Sequence, residues 1–382
     1  MTKEFGDTSE RAQLRDTVRR LIADVAPADR VARLDEAERF DDQLYEALGR
    51  VDAFAVGLTV GDIRDQLVII EELAAGPTSM AAFMISHYAA VALVVRLAIE
   101  PEARVLADRA LRGEARIAFA LSEPDGGTDV ARAMQTRAER TADGFRIVGT
   151  KLWTSGALEA DATVVFARTS PPQRSAVDGI TMLLVRRGAP GLSVRPVPTL
   201  GIRGLSTCEV VLDGVEAPLS AVLGDVDAGL RTAFRTISGE GLHAAAASIG
   251  VGRGALALAV QHAKDRLVFG RPVGAFQVPQ HWLVDGAVAL EAARALLVRA
   301  AEVEAGGGDA WALASMAKLA ASEAAVQISL RGMQMMGGLG YSREVAMQRY
   351  FRDARLWSFS PLTNEMVRNM LGERFLGLPR SY

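Results

Sequence analysis

The sequence predicts an α+β chain built in three consecutive parts: an N-terminal helical domain over 1–113, a middle antiparallel β domain over 114–224 and a C-terminal four-helix bundle over 225–382. Three observations carry this. Apolar residues recur at helical spacing up to about residue 113. Short segments, mostly rich in β-branched residues and separated by turn signals, fill the middle. The helical period then returns near Asp225 and holds to the end. A chain of 382 residues is long enough for several packed layers.

In the first part, Glu10–Val25 places Leu14, Val18, Leu21 and Ile22 on one face, and Ile63–Ala75 and Ser79–Leu97 continue the pattern across a break at Gly76-Pro77-Thr78. The paired acids Glu71-Glu72 read as a solvated helix face. Met80–Tyr88, rich in Met, Phe and Tyr, suits either helix packing or the lining of an apolar pocket. In the middle part the segments Ile117–Leu121, Phe145–Lys151, Ala162–Ala167, Ile180–Val185, Leu192–Val197 and Cys208–Leu212 are strands, with turns at Asp143-Gly144, Gly156, Pro190-Gly191 and Asp213-Gly214. In the last part Leu283, Ala287, Leu290, Ala293 and Leu297 form one helical stripe. Ala-rich faces around Gly250–Val260 and Ala312–Ile328 let helices approach closely.

Composition removes several function classes. The chain is 49% hydrophobic and 23% charged, with a formal net charge of −3 and no basic stripe, which argues against nucleic acid as a partner. Cys208 is the only cysteine, and His87, His243, His262 and His281 are scattered, so no metal-ligand spacing exists and no metal is expected. Residues 1–20 are charged throughout and carry no signal-peptide pattern, so the cytoplasm is the expected address. The apolar run Ala89–Ile99 is short and interrupted by Arg96; it reads as a buried helix, and no membrane span is expected.

Five motifs carry chemistry. Phe119–Asp129, reading F-A-L-S-E-P-D-G-G-T-D, offers backbone N–H groups and the hydroxyls of Ser122 and Thr128. Gly149–Gly156, G-T-K-L-W-T-S-G, sets Trp153 and Ser155 on a strand; taken alone, a core tryptophan and a ligand-facing one fit equally. Leu200–Thr207 is a glycine-bearing turn. Arg266–Pro272, R-L-V-F-G-R-P, followed by Phe276-Gln277, supplies arginines suited to charge-assisted bonds with phosphate. Gln334–Tyr341, Q-M-M-G-G-L-G-Y, is a glycine cluster that lets backbone approach a ligand, followed by Arg349–Asp353 and by Ser360–Glu365.

In order and in domain, these motifs resemble the signatures of the acyl-CoA dehydrogenase family of flavoproteins, over about Phe119 to Glu365. Residues 1–113 match only in character and lack the family's P-E-x-x-G-G segment, and Leu205 stands where the Leu200–Thr207 turn of the family has a hydroxyl. The resemblance implies FAD as cofactor. It implies that Leu121, Ser122, Gly127 and Thr128 meet the flavin edge, that Trp153 packs beside the isoalloxazine and that Ser155 bonds near flavin N5. It implies further that Arg266, Phe269 and Gln277, with Gln334, Gly337 and Gly338, hold the pyrophosphate and adenosine of an FAD bound mainly by a neighbouring subunit. Thr363 and Glu365 would complete the cofactor contacts. A homodimer or homotetramer follows, since one flavin site then needs two chains.

The implied activity is FAD-dependent dehydrogenation of an acyl thioester: a base removes a Cα proton, a hydride leaves Cβ for flavin N5, and electrons pass on to an electron-transferring flavoprotein. The usual base lies eight residues after the Asp of R-D, and here that position is Pro361, which cannot serve and reads as N1 of a helix capped by Ser360. A minority of the family carries its base on a helix thirty residues before the Gly of R-x-x-F-G. Counting back from Gly270 reaches Glu240, the candidate base, with Glu365 as the alternative. Members of that minority commonly have Arg after the base, whereas this chain has Gly241, a departure that opens the expectation of a thioester carried either by CoA or by an acyl carrier protein. An acyl-CoA oxidase or flavin monooxygenase on the same scaffold, and a non-catalytic flavin- or thioester-binding relative, are the alternatives.

Overall fold

The computed structural model describes residues 7–237 and 239–380. The first helices are α1 (Ser9–Val25), α2 (Ala28–Glu36), α3 (Asp42–Gly49), α4 (Ile63–Ala74), α5 (Thr78–Leu97) and α6 (Pro101–Leu111). Their starts are chemically marked. The Thr8 hydroxyl accepts from Arg11 N, Asp41 caps α3, and Asp62 and Asp65 form a reciprocal capping box on α4. Helices α2, α3 and α6 are short, and their apolar stripes are too brief for periodicity to reveal.

The sheet follows: β1 (Ile117–Ala120), β2 (Arg137–Arg140), β3 (Gly144–Ser155), β4 (Ala162–Arg168), β5 (Ile180–Arg186), β6 (Leu192–Pro196), β7 (Thr207–Pro218) and β8 (Val222–Leu223). It has eight strands in the order β6-β7-β3-β2-β4-β5-β8, with β1 added to β4. The expectation of a purely antiparallel domain is corrected here. The β1–β4 pairing is parallel, and so is the single β2–β4 contact at Arg137 and Arg168. A parallel pair needs a long crossover rather than a hairpin, and the chain between β1 and β4 provides one. One apolar cluster joins the sheet to α5 and α6, and a second fills its other face.

The last part contains α7 (Gly229–Thr236), α8 (Glu240–Asp265), a hairpin of β9 (Leu267–Val268) and β10 (Arg271–Pro272), α9 (Gln277–Ala305), α10 (Trp311–Met336), and the shorter α11 (Gly338–Tyr341), α12 (Met347–Ala354) and α13 (Asn364–Met370). Small residues set the packing. A Cβ on Gly252 would lie 3.4 Å from Ala325 Cα, and one on Gly332 would lie 3.5 Å from Ala259 Cβ, so α8 and α10 run parallel, with α9 packed against both. Helix α4 also lies along α8, where a Cβ on Gly250 would meet the Glu71 carbonyl at 2.3 Å. The N-terminal and C-terminal helices therefore share one core.

Two expectations fail in this region. Glu71 and Glu72 are not on a solvated face; each is 4% exposed, at the α4–α8 interface. Carboxylates can be buried there because arginines reach them: Arg294 lies 2.6 Å from Glu71, and Arg15, Arg19 and Arg253 lie 2.6, 2.8 and 2.6 Å from Glu72. Ser360 and Pro361 do not start a helix either. Their peptide bond is cis, and α13 begins at Asn364 with Thr363 as N-cap, because the Thr363 hydroxyl is the one within reach of Met366 N, at 3.2 Å. In Met80–Tyr88 the packing role holds for Met80, Phe83, Met84 and Tyr88, all buried.

Candidate active site

The edge of the middle domain is built around a buried ion pair. Lys151, with no exposed surface, places Nζ 2.8 Å from Glu123 Oε1 and 3.1 Å from the Leu121 carbonyl. Glu123 also accepts from the backbone N–H groups of Gln135 and Thr136, at 2.5 and 2.9 Å. Burial pulls Lys151 down to about 8 and the charge of Glu123 pulls the other way. Burial pushes Glu123 up, but Lys151 and the two N–H groups outweigh it and hold the carboxyl below its ordinary range. This pair anchors the loop that carries Leu121, Ser122, Gly127 and Thr128. Neither residue was singled out from the sequence. The signal was the one charged side chain in the Gly149–Gly156 strand motif.

The neighbouring strand then turns an aromatic ring outward. Leu152 N–H donates to the Ser122 carbonyl at 2.9 Å, which ties β3 to the loop. The β3–β7 register shifts between Lys151 and Thr154, a bulge that re-aims side chains. Within it Trp153 has φ +63, a costly conformation for a large side chain, and is 57% exposed. Trp153 is therefore not a core residue. Ser155, half-buried, ends the same strand, while Gly127 has φ +47 with nothing near its missing Cβ.

A second group sits at the far end of the helical bundle. The β9–β10 hairpin leaves α8 at Arg266 and carries Phe269, 96% exposed at φ +50. Arg271 stacks its guanidinium over Phe276 at 4.0 Å, and Gln277 opens α9 as an exposed residue. At the parallel end of α10, Gln334 is exposed, and an added Cβ on Gly337 or Gly338 would meet nothing within 4 Å.

The third group surrounds the start of α8. Glu240 opens this helix and is half-buried; burial alone pushes its carboxyl up to about 7. Position 241 faces Ala314 of α10, whose Cβ would lie 3.8 Å from an added methyl. One turn further along α10, Lys318 donates to the Leu362 carbonyl at 2.7 Å and to Asn364 Oδ1 at 2.6 Å. It is 2% exposed, and burial lowers it to about 8 against the raising effect of Glu365 and Glu323. The start of α8 and the segment before α13 thus meet α10 about one helical turn, ~6 Å, apart. Thr363 caps α13, and Glu365 lies exposed in its first turn. Lys318 was not foreseen; a lone lysine in an alanine-rich helix was its only mark. Helix α5 packs against both the sheet and α8, so the Leu121–Ser155 edge and the Glu240 turn share one support.

Family models for the acyl-CoA dehydrogenase N-terminal, middle and C-terminal domains match residues 8–105, 118–215 and 227–376, in that order. The chain belongs to the acyl-CoA dehydrogenase family. It is 32% identical over 369 residues to the cyclohex-1-ene-1-carbonyl-CoA dehydrogenase of Geobacter metallireducens, covering 93% of this chain and 96% of that one. It is 39% identical over 265 residues to the human mitochondrial short-chain specific acyl-CoA dehydrogenase; this alignment covers 69% of the chain but spans only 63% of the human protein's length. The butyryl-CoA dehydrogenase of Megasphaera elsdenii superposes with a TM-score of 0.90 at 27% identity, over 98% of this chain and 100% of that one.

The cofactor of this acyl-CoA dehydrogenase family is FAD, and the residues present fit it. An outward-facing Trp153 on a strained bulge, the exposed Phe269 ring and the open backbone at Gly337-Gly338 suit a flat ring system joined to an extended dinucleotide. Arg266, at the head of the hairpin, supplies the cationic character that a pyrophosphate needs.

Proposed function

We propose that this chain dehydrogenates an acyl thioester with Glu240 as the base. The observation that carries this is the pairing of Pro361 at the usual locus with a half-buried Glu240, raised to about 7, at the helix-borne one. A carboxyl tuned near neutrality removes a weakly acidic Cα proton better than an ordinary one, and such general-base action is worth about 10²–10⁴-fold. Bound FAD would supply the acceptor for the Cβ hydride. Trp153 and Ser155 would orient its ring, and the Glu123–Lys151 pair would hold the loop beneath it. Thr363 and Glu365, at the start of α13, would border the same site, and Lys318 of α10 holds their neighbours Leu362 and Asn364.

Two copies of the chain are part of this proposal. Glu240 and Arg266 lie at opposite ends of α8, a helix of 26 residues, so roughly 38 Å separates the base from the hairpin. One extended dinucleotide serving both groups calls for the hairpin of a second subunit, in a homodimer or homotetramer. Gly241 beside Glu240 leaves uncharged a position where a cation would otherwise sit, which favours a thioester delivered by an acyl carrier protein as well as by CoA. An electron-transferring flavoprotein as acceptor and a cytoplasmic setting complete the proposal.

Anaerobic bleaching of the bound flavin by a panel of acyl-CoA and acyl-carrier thioesters tests it. Glu240→Gln is expected to keep FAD and lose flavin reduction by about 10³-fold or more, while Glu365→Gln changes it by a few-fold. Normal bleaching by Glu240→Gln, with loss in Glu365→Gln, transfers the base to the segment after Pro361.

A further inference from the structure

His243 follows Glu240 by three residues on α8, so the two share a helix face. It is 7% exposed, its Nε2 lies 3.0 Å from Gln66 Oε1, and its ring stacks on Tyr88 with centroids 6.1 Å apart and 29° between planes. Gln66 on α4 is itself buried, and its amide nitrogen donates to the Val56 carbonyl at 2.8 Å. The loop between α3 and α4 is shaped to that amide. Gly57 has φ +73, and a Cβ there would lie 2.4 Å from the Gln66 side chain.

The chemistry of these groups selects one tautomer. A carbonyl oxygen only accepts, so Gln66 turns its NH₂ toward Val56 and its oxygen toward His243. The His243 Nε2 must then carry the hydrogen, and in the neutral ring Nδ1 is left as a bare acceptor. Burial keeps the ring neutral, lowering it to about 4. The ring folds back over the preceding turn, as helical side chains do: a Cβ on Gly239 would come within 3.6 Å of Cε1, the carbon between the two ring nitrogens. Nδ1 has no hydrogen-bond partner among the described residues.

Among the described residues no charged side chain bonds to Glu240 or His243. From α4 the facing group is the neutral Gln66. From α5 it is Tyr88, whose hydroxyl donates to the Ala53 carbonyl at 2.5 Å and which burial keeps protonated. From α10 it is Ala314, with Lys318 a turn beyond and committed to Leu362 and Asn364. Burial alone displaces both Glu240 and His243.

We propose that His243 is a positioning residue for Glu240, its bare Nδ1 accepting the hydrogen of the protonated carboxyl and so orienting the base and favouring the acid form that Cα-proton abstraction produces. This rests on Glu240 being the base. The proton passes from substrate Cα to a Glu240 oxygen and stays there, shared with Nδ1; the ring gains no proton and no charge. Gln66, Val56 and Gly57 serve to hold the tautomer.

The test uses the FAD-loaded protein and reads Glu240 by the infrared carbonyl band of its protonated carboxyl as a function of pH, and by the acidic limb of flavin reduction with a thioester that bleaches the wild type. His243→Phe keeps the stacked ring and removes both nitrogens. Its Glu240 midpoint and acidic limb are expected to fall by roughly half to one pH unit. His243→Asn, which restores an acceptor near Nδ1, is expected to return both toward wild type. An unmoved midpoint in His243→Phe with FAD retained overturns the assignment. So does nitrogen NMR of the wild-type protein showing a protonated Nδ1, a result that needs no variant to fold. Glu240→Gln that still reduces flavin removes the base itself. An inactive Glu240→Gln beside an unmoved His243→Phe removes only the role of His243.

Discussion

Glu72 and Glu240 lie on helices that pack along each other, about 20 Å apart along α8, and the same interior treats them in opposite ways. Burial pushes both carboxyls up. At Glu72 the hydrogen bonds and charge of Arg253, helped by Arg19 and Arg15, reverse that push and bring it down to about 2. At Glu240 nothing opposes burial, and it rises to about 7. The difference teaches that removal from water alone does not decide whether a carboxyl is held ionised as a strut or left with a raised pKa, as the proposed base is. The arrival of a guanidinium does.

The comparison breaks most visibly on the arginine side. Glu72→Gln leaves Arg15, Arg19 and Arg253 facing a lost carboxylate and is expected to cost on the order of 3–5 kcal/mol, read as a lower denaturant midpoint. An unchanged midpoint would mean the cluster contributes no net stability. Acid sharpens the contrast next. Glu72 has a folded value of about 2 against an ordinary 4.5, so its stabilisation is whole above pH 4.5 and is lost as pH falls from there toward 2, by roughly 3 kcal/mol. Glu240 works in the other sense, because ionising it costs stability as pH rises from 4.5 toward 7. Stability measured against pH in the wild type and in each Gln variant should assign one slope to each residue; a slope that survives its own variant is wrongly assigned. The smallest effect comes from making one site resemble the other. Gly241→Arg sets a cation beside Glu240, where ordinary contact with Ala314 leaves room, and should lower the acidic limb of flavin reduction by about one pH unit. A stationary limb would show that the added side chain points away.

The sequence made the three-part organisation legible through its periodicity, and drew attention to the motifs through their resemblance, in order and in domain, to the acyl-CoA dehydrogenase signatures. Trp153 was legible as a residue of interest but not in its orientation, which depends on a bulge that arises only when β3 pairs with β7. The Glu71-Glu72 pair was misread because its partners come from residues 15, 19, 253 and 294, and no local pattern records such pairings. The parallel β1–β4 pairing was hidden for the same reason. Pro361 reads from the sequence as a helix start, whereas the helix begins at Asn364, since Thr363 supplies a better-placed cap. The Gln66–His243 contact joins residues far apart in the chain through a loop conformation that only Gly57 permits.

Gly250 and Gly254 mark α8 like graduations on a rule. A methyl group at 250 would come within 2.3 Å of the Glu71 carbonyl, and one at 254 within 2.6 Å of the Ala75 carbonyl, so α4 can seat against α8 in one register. Sliding by a single residue would drive a side chain into peptide backbone. The seating of the first turn of α8, where Gly239 lies against Ile63 of α4, is thus dimensioned from a point about ten residues away. Two positions far along the helix set the tolerance to which the proposed base is placed.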